Sequence, residues 1–239
     1  MSIEMELKAR AEKQDCKKRL ETIAGEGAAF VKTDSYWFPA GEFSGRSDKG
    51  LVRGGGPQDN VWFQDSAWLF RSGLRVRREK KAGKETVLVT WKRKEKRNGM
   101  EINDERECRV SDGTLFEELL YALGLRKKIA KRKEGWAWNI SGVTAELAEV
   151  SGFVIRDEEA KTPDAPKGGI SDPPEKRSPE TLGWFLELEI LDGDGETAAR
   201  RRLLDTLEKA GLGEANIENR YYSELLAAPR AGRESSRRA

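Results

Sequence analysis

Ile3-Glu4-Met5-Glu6-Leu7-Lys8-Ala9-Arg10 alternates apolar and charged residues without a break. Side chains on a strand point alternately to its two faces. Glu4, Glu6, Lys8 and Arg10 therefore share one face, and Ile3, Met5, Leu7 and Ala9 share the other. The pattern recurs along the chain. Leu74-Arg75-Val76-Arg77 repeats it with bases only. Val87, Val89 and Trp91 alternate with Leu88, Thr90 and Lys92. Glu105, Glu107 and Arg109 oppose Arg106, Cys108 and Val110. Lys131 and Lys133 share a face, with Trp136, Trp138 and Ile140 on the other. Leu186, Leu188 and Ile190 alternate with Glu187 and Glu189. Strands are expected at 2–10, 30–38, 73–79, 86–94, 104–110, 129–140, 143–150 and 184–191.

One such strand implies only a sheet with one wet face. Several, some almost purely basic and others almost purely acidic, imply a closed or nearly closed barrel whose interior is a second polar face. Lysines and arginines crowded in a lumen repel one another and need a polyanion to neutralise them. Paired glutamates in the same lumen suit a divalent cation. A triphosphate chain bridged by Mg²⁺ meets both demands.

Three helical stripes flank these strands: Cys16, Leu20, Ile23 and Ala24; Phe116, Leu119, Leu120 and Leu123; and Leu203, Leu204, Leu207 and Ala210. Thr114 with Glu117 reads as a capping box, and Gly124 and Gly211 as helix stops. The fold class is α+β, since the helices are too few for a strictly alternating parallel α/β fold. Two segments read as insertions: 40–66, with six glycines, and 156–181, with five of the eight prolines. The expected organisation is one domain over 1–228 and a disordered basic tail over 229–239, which holds four arginines and one glutamate.

Composition narrows the chemistry. The 239 residues contain no histidine, which excludes imidazole bases, His-based triads and zincins. A metal site must then use carboxylates, which favours Mg²⁺ or Mn²⁺. The net charge of 44 − 42 = +2 implies neither nucleic-acid nor membrane binding. No apolar run is long enough to span a bilayer. Cys16 and Cys108, far apart in sequence, read as reduced thiols of a cytoplasmic protein.

Glu4-Met5-Glu6-Leu7-Lys8 resembles the ExExK signature of the CYTH superfamily, the triphosphate tunnel metalloenzymes. Further elements follow in the family's order: Leu74-Arg75-Val76-Arg77, Thr90-Trp91-Lys92, the Glu105/Glu107 pair, Lys131-x-Lys133, and Leu182-Gly183-Trp184-Phe185-Leu186-Glu187-Leu188-Glu189. Asp34-Ser35-Tyr36-Trp37-Phe38 and Tyr222-Ser223-Glu224-Leu225-Leu226 resemble motifs of the CyaB-type branch, the class IV adenylyl cyclases. The resemblance implies an eight-stranded antiparallel β tunnel with flanking helices and the substrate inside. It implies Glu4, Glu6, Glu187 and Glu189, joined by Glu105 and Glu107, as metal-binding acids. It implies Lys8, Arg75, Arg77, Lys92, Lys131 and Lys133 as phosphate-binding bases, with Arg109 on the same strand face as the Glu105/Glu107 pair. Arg220 is a weaker addition.

The chain also departs from the family. Ala148 stands where the family carries an Asp near the nucleophile, and Glu146, on the same strand face, is the candidate substitute. Lys8 and Glu146 are thus the candidate catalytic groups. Asn103 replaces the family's usual base before the paired acids. Three readings stay open: a cyclase forming cyclic AMP and pyrophosphate from ATP; a hydrolase of tripolyphosphate, a nucleoside triphosphate or thiamine triphosphate; and a non-catalytic triphosphate-binding module. A homodimer is compatible with each. Trp37, Trp62 and Trp68 are candidates for stacking on a base, with core packing as the alternative role.

Overall fold

The computed structural model describes residues 2–39, 73–97, 99–155, 179–191 and 195–228. All eight expected strands form: β1 (Ser2–Arg10), β2 (Ala28–Pro39), β3 (Leu74–Lys81), β4 (Lys84–Arg97), β5 (Met100–Val110), β6 (Leu125–Ile140), β7 (Val143–Val154) and β8 (Glu180–Leu191). Several run longer than their alternation suggested. They close an antiparallel barrel in the order β1-β5-β4-β3-β2-β6-β7-β8. Most of segments 40–66 and 156–181, Trp62, Trp68 and the tail 229–239 lie outside the described residues; Glu180 and Thr181 belong to β8.

The apolar core lies outside the barrel wall. Met5, Leu7 and Ala9 of β1 join Leu147 of β7 and Leu186 and Leu188 of β8 in a cluster closed by two helices. These are α1 (Lys13–Ala24), through Cys16 and Leu20, and α3 (Glu196–Lys209), through Leu203 and Leu207. A second cluster sets Val76 and Val89 against α2 (Gly113–Ala122), through Leu120 and Phe116. The stripe on α2 is only half used: Phe116 and Leu120 pack inward, while Leu119 and Leu123 are exposed.

The start of α2 corrects the capping reading. Asp112 is the cap, its side chain accepting from the backbone N–H of Thr114 and Leu115. Glu117 points into the protein instead. There it accepts hydrogen bonds from Ser35 Oγ and, at 2.8 Å, from Arg78 Nη2. Asp wins because its short carboxylate reaches two orphan amides one residue before the helix proper.

Closing the wall requires two close backbone approaches. A Cβ at Gly135 would lie 2.0 Å from the Leu147 carbonyl oxygen, and one at Gly152 2.3 Å from that of Ala130. The bare glycines let β6 and β7 coil tightly around each other. At one end of the tunnel the chain after α3 crosses over the wall. Glu218 donates its backbone N–H to the Lys8 carbonyl at 2.8 Å, and Ala9 bridges Ile217. The short helix α4 (Tyr222–Ala227) follows, anchored by buried Leu225 and Leu226.

Candidate active site

The barrel encloses a cavity of about 820 Å³. Alternation turns Glu4, Glu6 and Lys8 of β1 inward, because Met5, Leu7 and Ala9 are committed to the outer core. By the same logic β3 supplies Arg75 and Arg77, β4 Lys92, β5 Glu105 and Glu107, β6 Lys131 and Lys133, β7 Glu146, and β8 Glu187 and Glu189. Of the fourteen residues singled out from sequence as catalytic, phosphate-binding or metal-binding, thirteen line one cavity. Arg109 does not: it is exposed, near the end of β5, and outside the lining. Its strand face was read correctly, but the strand leaves the enclosed stretch before reaching it. Arg220 is also exposed and pairs with Glu218 at 2.7 Å.

The structure adds residues to which the sequence gave no site role: Lys32 of β2, Lys94, Glu101, Thr144 and Tyr221, together with Asp34, Tyr36 and Tyr222, which the two CyaB-type motifs contain. A signal existed for the three on β2, since Lys32-x-Asp34-x-Tyr36 has strand spacing. Asp34 is buried beneath the lining and holds two bases. It accepts from Arg77 Nε at 2.7 Å and Nη2 at 2.9 Å, and pairs with Lys131 Nζ at 3.2 Å. Burial works against its charge, but Arg77 and Lys131 hold its carboxyl well below the usual range.

Like charges stand opposite one another in the wall. Lys32 faces Lys133 across β2 and β6. Glu6 faces Glu101 and Glu189, and Glu146 faces Glu187. Such pairs destabilise a sheet. Opposite charges wedged between them relieve part of the strain. Glu146 bonds Lys32 and lies 3.6 Å from Lys133, which also bonds Glu187. Lys92 lies 2.7 Å from Glu105 and 3.2 Å from Glu4, and Arg75 lies 2.9 Å from Glu105. Lys94 reaches Glu101 at 3.4 Å.

The relief is incomplete on the acidic side. Burial, reinforced by Glu105, Glu189 and Glu6 and only partly opposed by Lys92, pushes the Glu4 carboxyl up to about 9. Its partner Glu105 is held at about 2 against burial, by Lys92, the hydrogen bond from Glu4, and Arg75. Burial, Glu187 and Glu101 also raise Glu6. Neither Glu6 nor Glu189 has an ion-pair partner among the described residues. Buried carboxylates without a basic partner are hard-oxygen donors of the kind that fit Mg²⁺ or Mn²⁺. The fit needs some movement, since no group of three acidic, His or Cys side chains converges at coordinating distance among the described residues.

Tyr222 closes one end of this space. Its ring lies 4.4 Å from Lys8 Nζ, 4.9 Å from Lys131 Nζ and 5.8 Å from Lys133 Nζ, and edge-on to Phe185 at 5.2 Å. Lys8 donates to the Arg220 carbonyl at 2.6 Å, and burial lowers its pKa. Ala148 is buried opposite Phe185, whereas Glu146 reaches the lumen. Trp37 is fully buried in the cluster under α2, so its role is packing. Cys16 and Cys108 are both free thiols.

A closed antiparallel tunnel lined by opposed bases and acids has the charge and enclosure to accept a compact polyanion. The chain belongs to the CYTH domain family, whose sequence model matches residues 2–222. Among solved structures it resembles a protein of Pyrococcus horikoshii at 21% identity and a TM-score of 0.60, covering 93% of this chain and 97% of that one. A conserved hypothetical protein of Pyrococcus furiosus follows at 18% and 0.58, covering 93% and 99%. A candidate adenylate cyclase of Vibrio parahaemolyticus matches at 16% and 0.54, covering 95% and 98%. These likenesses show that the chain shares their overall fold. No curated protein matches the sequence. No helix among the described residues is long and apolar enough to cross a membrane.

Proposed function

We propose that the protein is a divalent-cation-dependent enzyme acting on the triphosphate of ATP, forming cyclic AMP and releasing pyrophosphate. One observation carries the reading: the wall sets lysine against lysine and glutamate against glutamate around a cavity of about 820 Å³. A sheet that gives up pairing energy in this way is built around a ligand. The volume lies in the range of whole-ligand pockets, roughly 300–1,000 Å³, and so suits a nucleotide better than a bare tripolyphosphate.

The segment leading to Tyr222 crosses one end of the barrel, so the substrate enters phosphate-first from the other. Lys8 and Lys131 lie nearest Tyr222 and would take the terminal phosphate, while Lys133, farther from the ring and beside Glu146, would hold the α-phosphate. Arg75, Arg77 and Lys92 would hold the phosphates behind it, each exchanging a carboxylate partner for phosphate oxygens. Leu88, Thr144 and Leu191 remain for the nucleoside. Glu4, Glu6 and Glu189 would hold the cation, with Glu105, Glu107 and Glu187 around them, and when bound it would supply Lewis-acid charge to the attacking hydroxyl and the phosphate oxygens.

In the reaction the ribose 3′-oxygen bonds to the α-phosphorus, and the bond from that phosphorus to the bridging oxygen of pyrophosphate breaks. Glu146 accepts the hydroxyl proton. Lys32 and Lys133 hold its carboxyl below the usual range against burial. Once phosphate engages those lysines, Glu146 is released to act as a base. Lys8 steadies the charge that builds on the departing pyrophosphate.

The test is product analysis with ATP, and separately tripolyphosphate, in Mg²⁺ and in Mn²⁺. Cyclic AMP with pyrophosphate is the expected outcome. Inorganic phosphate with ADP or pyrophosphate would make the protein a triphosphatase. Tight binding without turnover would make it a non-catalytic module.

A further inference from the structure

Asn103 stands on the inward face of β5, between Glu101 and Glu105. It is opposite Glu4 of β1 on one side and Lys94 of β4 on the other. It has no exposed surface. Neither its Oδ1 nor its Nδ2 has a hydrogen-bond partner. Both neighbours are committed elsewhere, Glu4 to Lys92 and Lys94 to Glu101. A fully buried amide with both atoms unpaired is exceptional, because the desolvation of each group goes uncompensated. An apolar residue of the same shape would serve the wall better, so the amide calls for a partner that the polypeptide does not supply.

Its surroundings say what that partner is. Glu6 faces both Glu101 and Glu189 with no ion-pair partner of its own among the described residues, and Glu4 shares its one lysine, Lys92, with Glu105. An amide oxygen is a hard donor of the kind Mg²⁺ and Mn²⁺ accept beside carboxylates. An amide also has no charge, so it neither competes with a cation for Glu4 and Glu6 nor adds to their repulsion. We propose that Asn103 is the neutral ligand of the tunnel's divalent-cation site, its amide oxygen serving the cation or a water bound to it. Its Nδ2 remains free to donate to a carboxylate. This assignment rests on the cation-dependent reading given above.

The test is Mn²⁺ binding to the full chain without nucleotide, read by electron paramagnetic resonance of the free ion. Melting temperatures of the cation-free proteins accompany it. Asn103→Leu should weaken Mn²⁺ binding about 10- to 100-fold, the usual cost of removing a supporting ligand. Its cation-free melting temperature should hold or rise, since the unpaired amide is gone. Asn103→Asp should keep Mn²⁺ binding, because an oxygen donor remains. Wild-type affinity in Asn103→Leu would overturn the proposal, as would equal loss in Asn103→Leu and Asn103→Asp. Glu6→Gln separates the two levels. If it loses Mn²⁺ while Asn103→Leu does not, only the role of Asn103 falls. If the wild type itself binds no Mn²⁺, the cation-dependent reading falls and Asn103 with it.

Discussion

Asp34 shows how a single residue can be essential to a site without lying on its surface. Its two oxygens engage Arg77 twice and Lys131 once, which points both bases toward the lumen. Breaking a buried charge pair from one side leaves the other charge uncompensated, at a cost of about 3–5 kcal/mol. Asp34→Ala should lose stability of that order in urea unfolding. Added tripolyphosphate should recover part of it by giving Arg77 and Lys131 a new partner. Glu6 is the opposite case, a buried acid facing Glu101 and Glu189 with no ion-pair partner among the described residues, Lys92 and Lys94 only partly offsetting the repulsion. Glu6→Gln should therefore melt at a higher temperature than wild type in the absence of cations, and Mn²⁺ should no longer stabilise it. A lower cation-free melting temperature would show that Glu6 is not repelled in the native state.

At the scale of elements, the decisive contact is between α2 and the β2–β3 wall. Glu117 on the helix accepts from Ser35 on β2 and Arg78 on β3, and Ser35 also accepts from Trp37 Nε1 at 3.1 Å. Burial raises the Glu117 carboxyl, but Arg78 and Ser35 overcome it and hold it below the usual carboxylate range. A carboxyl depressed in the folded state contributes stability that is fully present above its unfolded pKa. That contribution is lost as pH falls through the folded value. Glu117→Gln should thus be less stable than wild type at pH 7, and the gap should narrow below about pH 4.5. Melting scans at pH 7 and pH 3 check this; a gap that widens on acidification would reverse the sign. The helix itself was legible in its apolar spacing. Its cap was misread because Asp112 and Thr114 are both good capping residues, and only the backbone geometry selects one.

The whole molecule is organised inside out. Its apolar core lies between the barrel wall and α1, α2 and α3, and the barrel interior holds charge. A ligand that fills the tunnel therefore acts on every strand at once. Tripolyphosphate with Mn²⁺ at a hundred times its dissociation constant should stabilise the fold by about 2.7 kcal/mol if it binds only the native state. A calorimetric melting series with ligand concentration checks the dependence. No shift at saturating ligand would remove the triphosphate from the tunnel.

The alternation of apolar and charged residues determined the eight strands and which face of each carries charge, because side-chain direction along a strand has a period of two whatever the strand pairs with. It placed Glu4, Glu6, Lys8, Arg75, Arg77 and Lys92 on the inner wall before any contact was known. Only the tertiary structure decided which charges meet. Barrel closure and its stagger brought Lys32 against Lys133 and Glu6 against Glu189, from strands far apart in the chain. The same stagger left Arg109 in solvent at a strand end. Tyr222 carries no strand signal at all. It reaches the lumen because residues 217–222 cross the barrel end and Leu225 and Leu226 pin the helix behind it. Faces are a local property of the backbone, whereas register and closure follow from packing the whole wall against its helices.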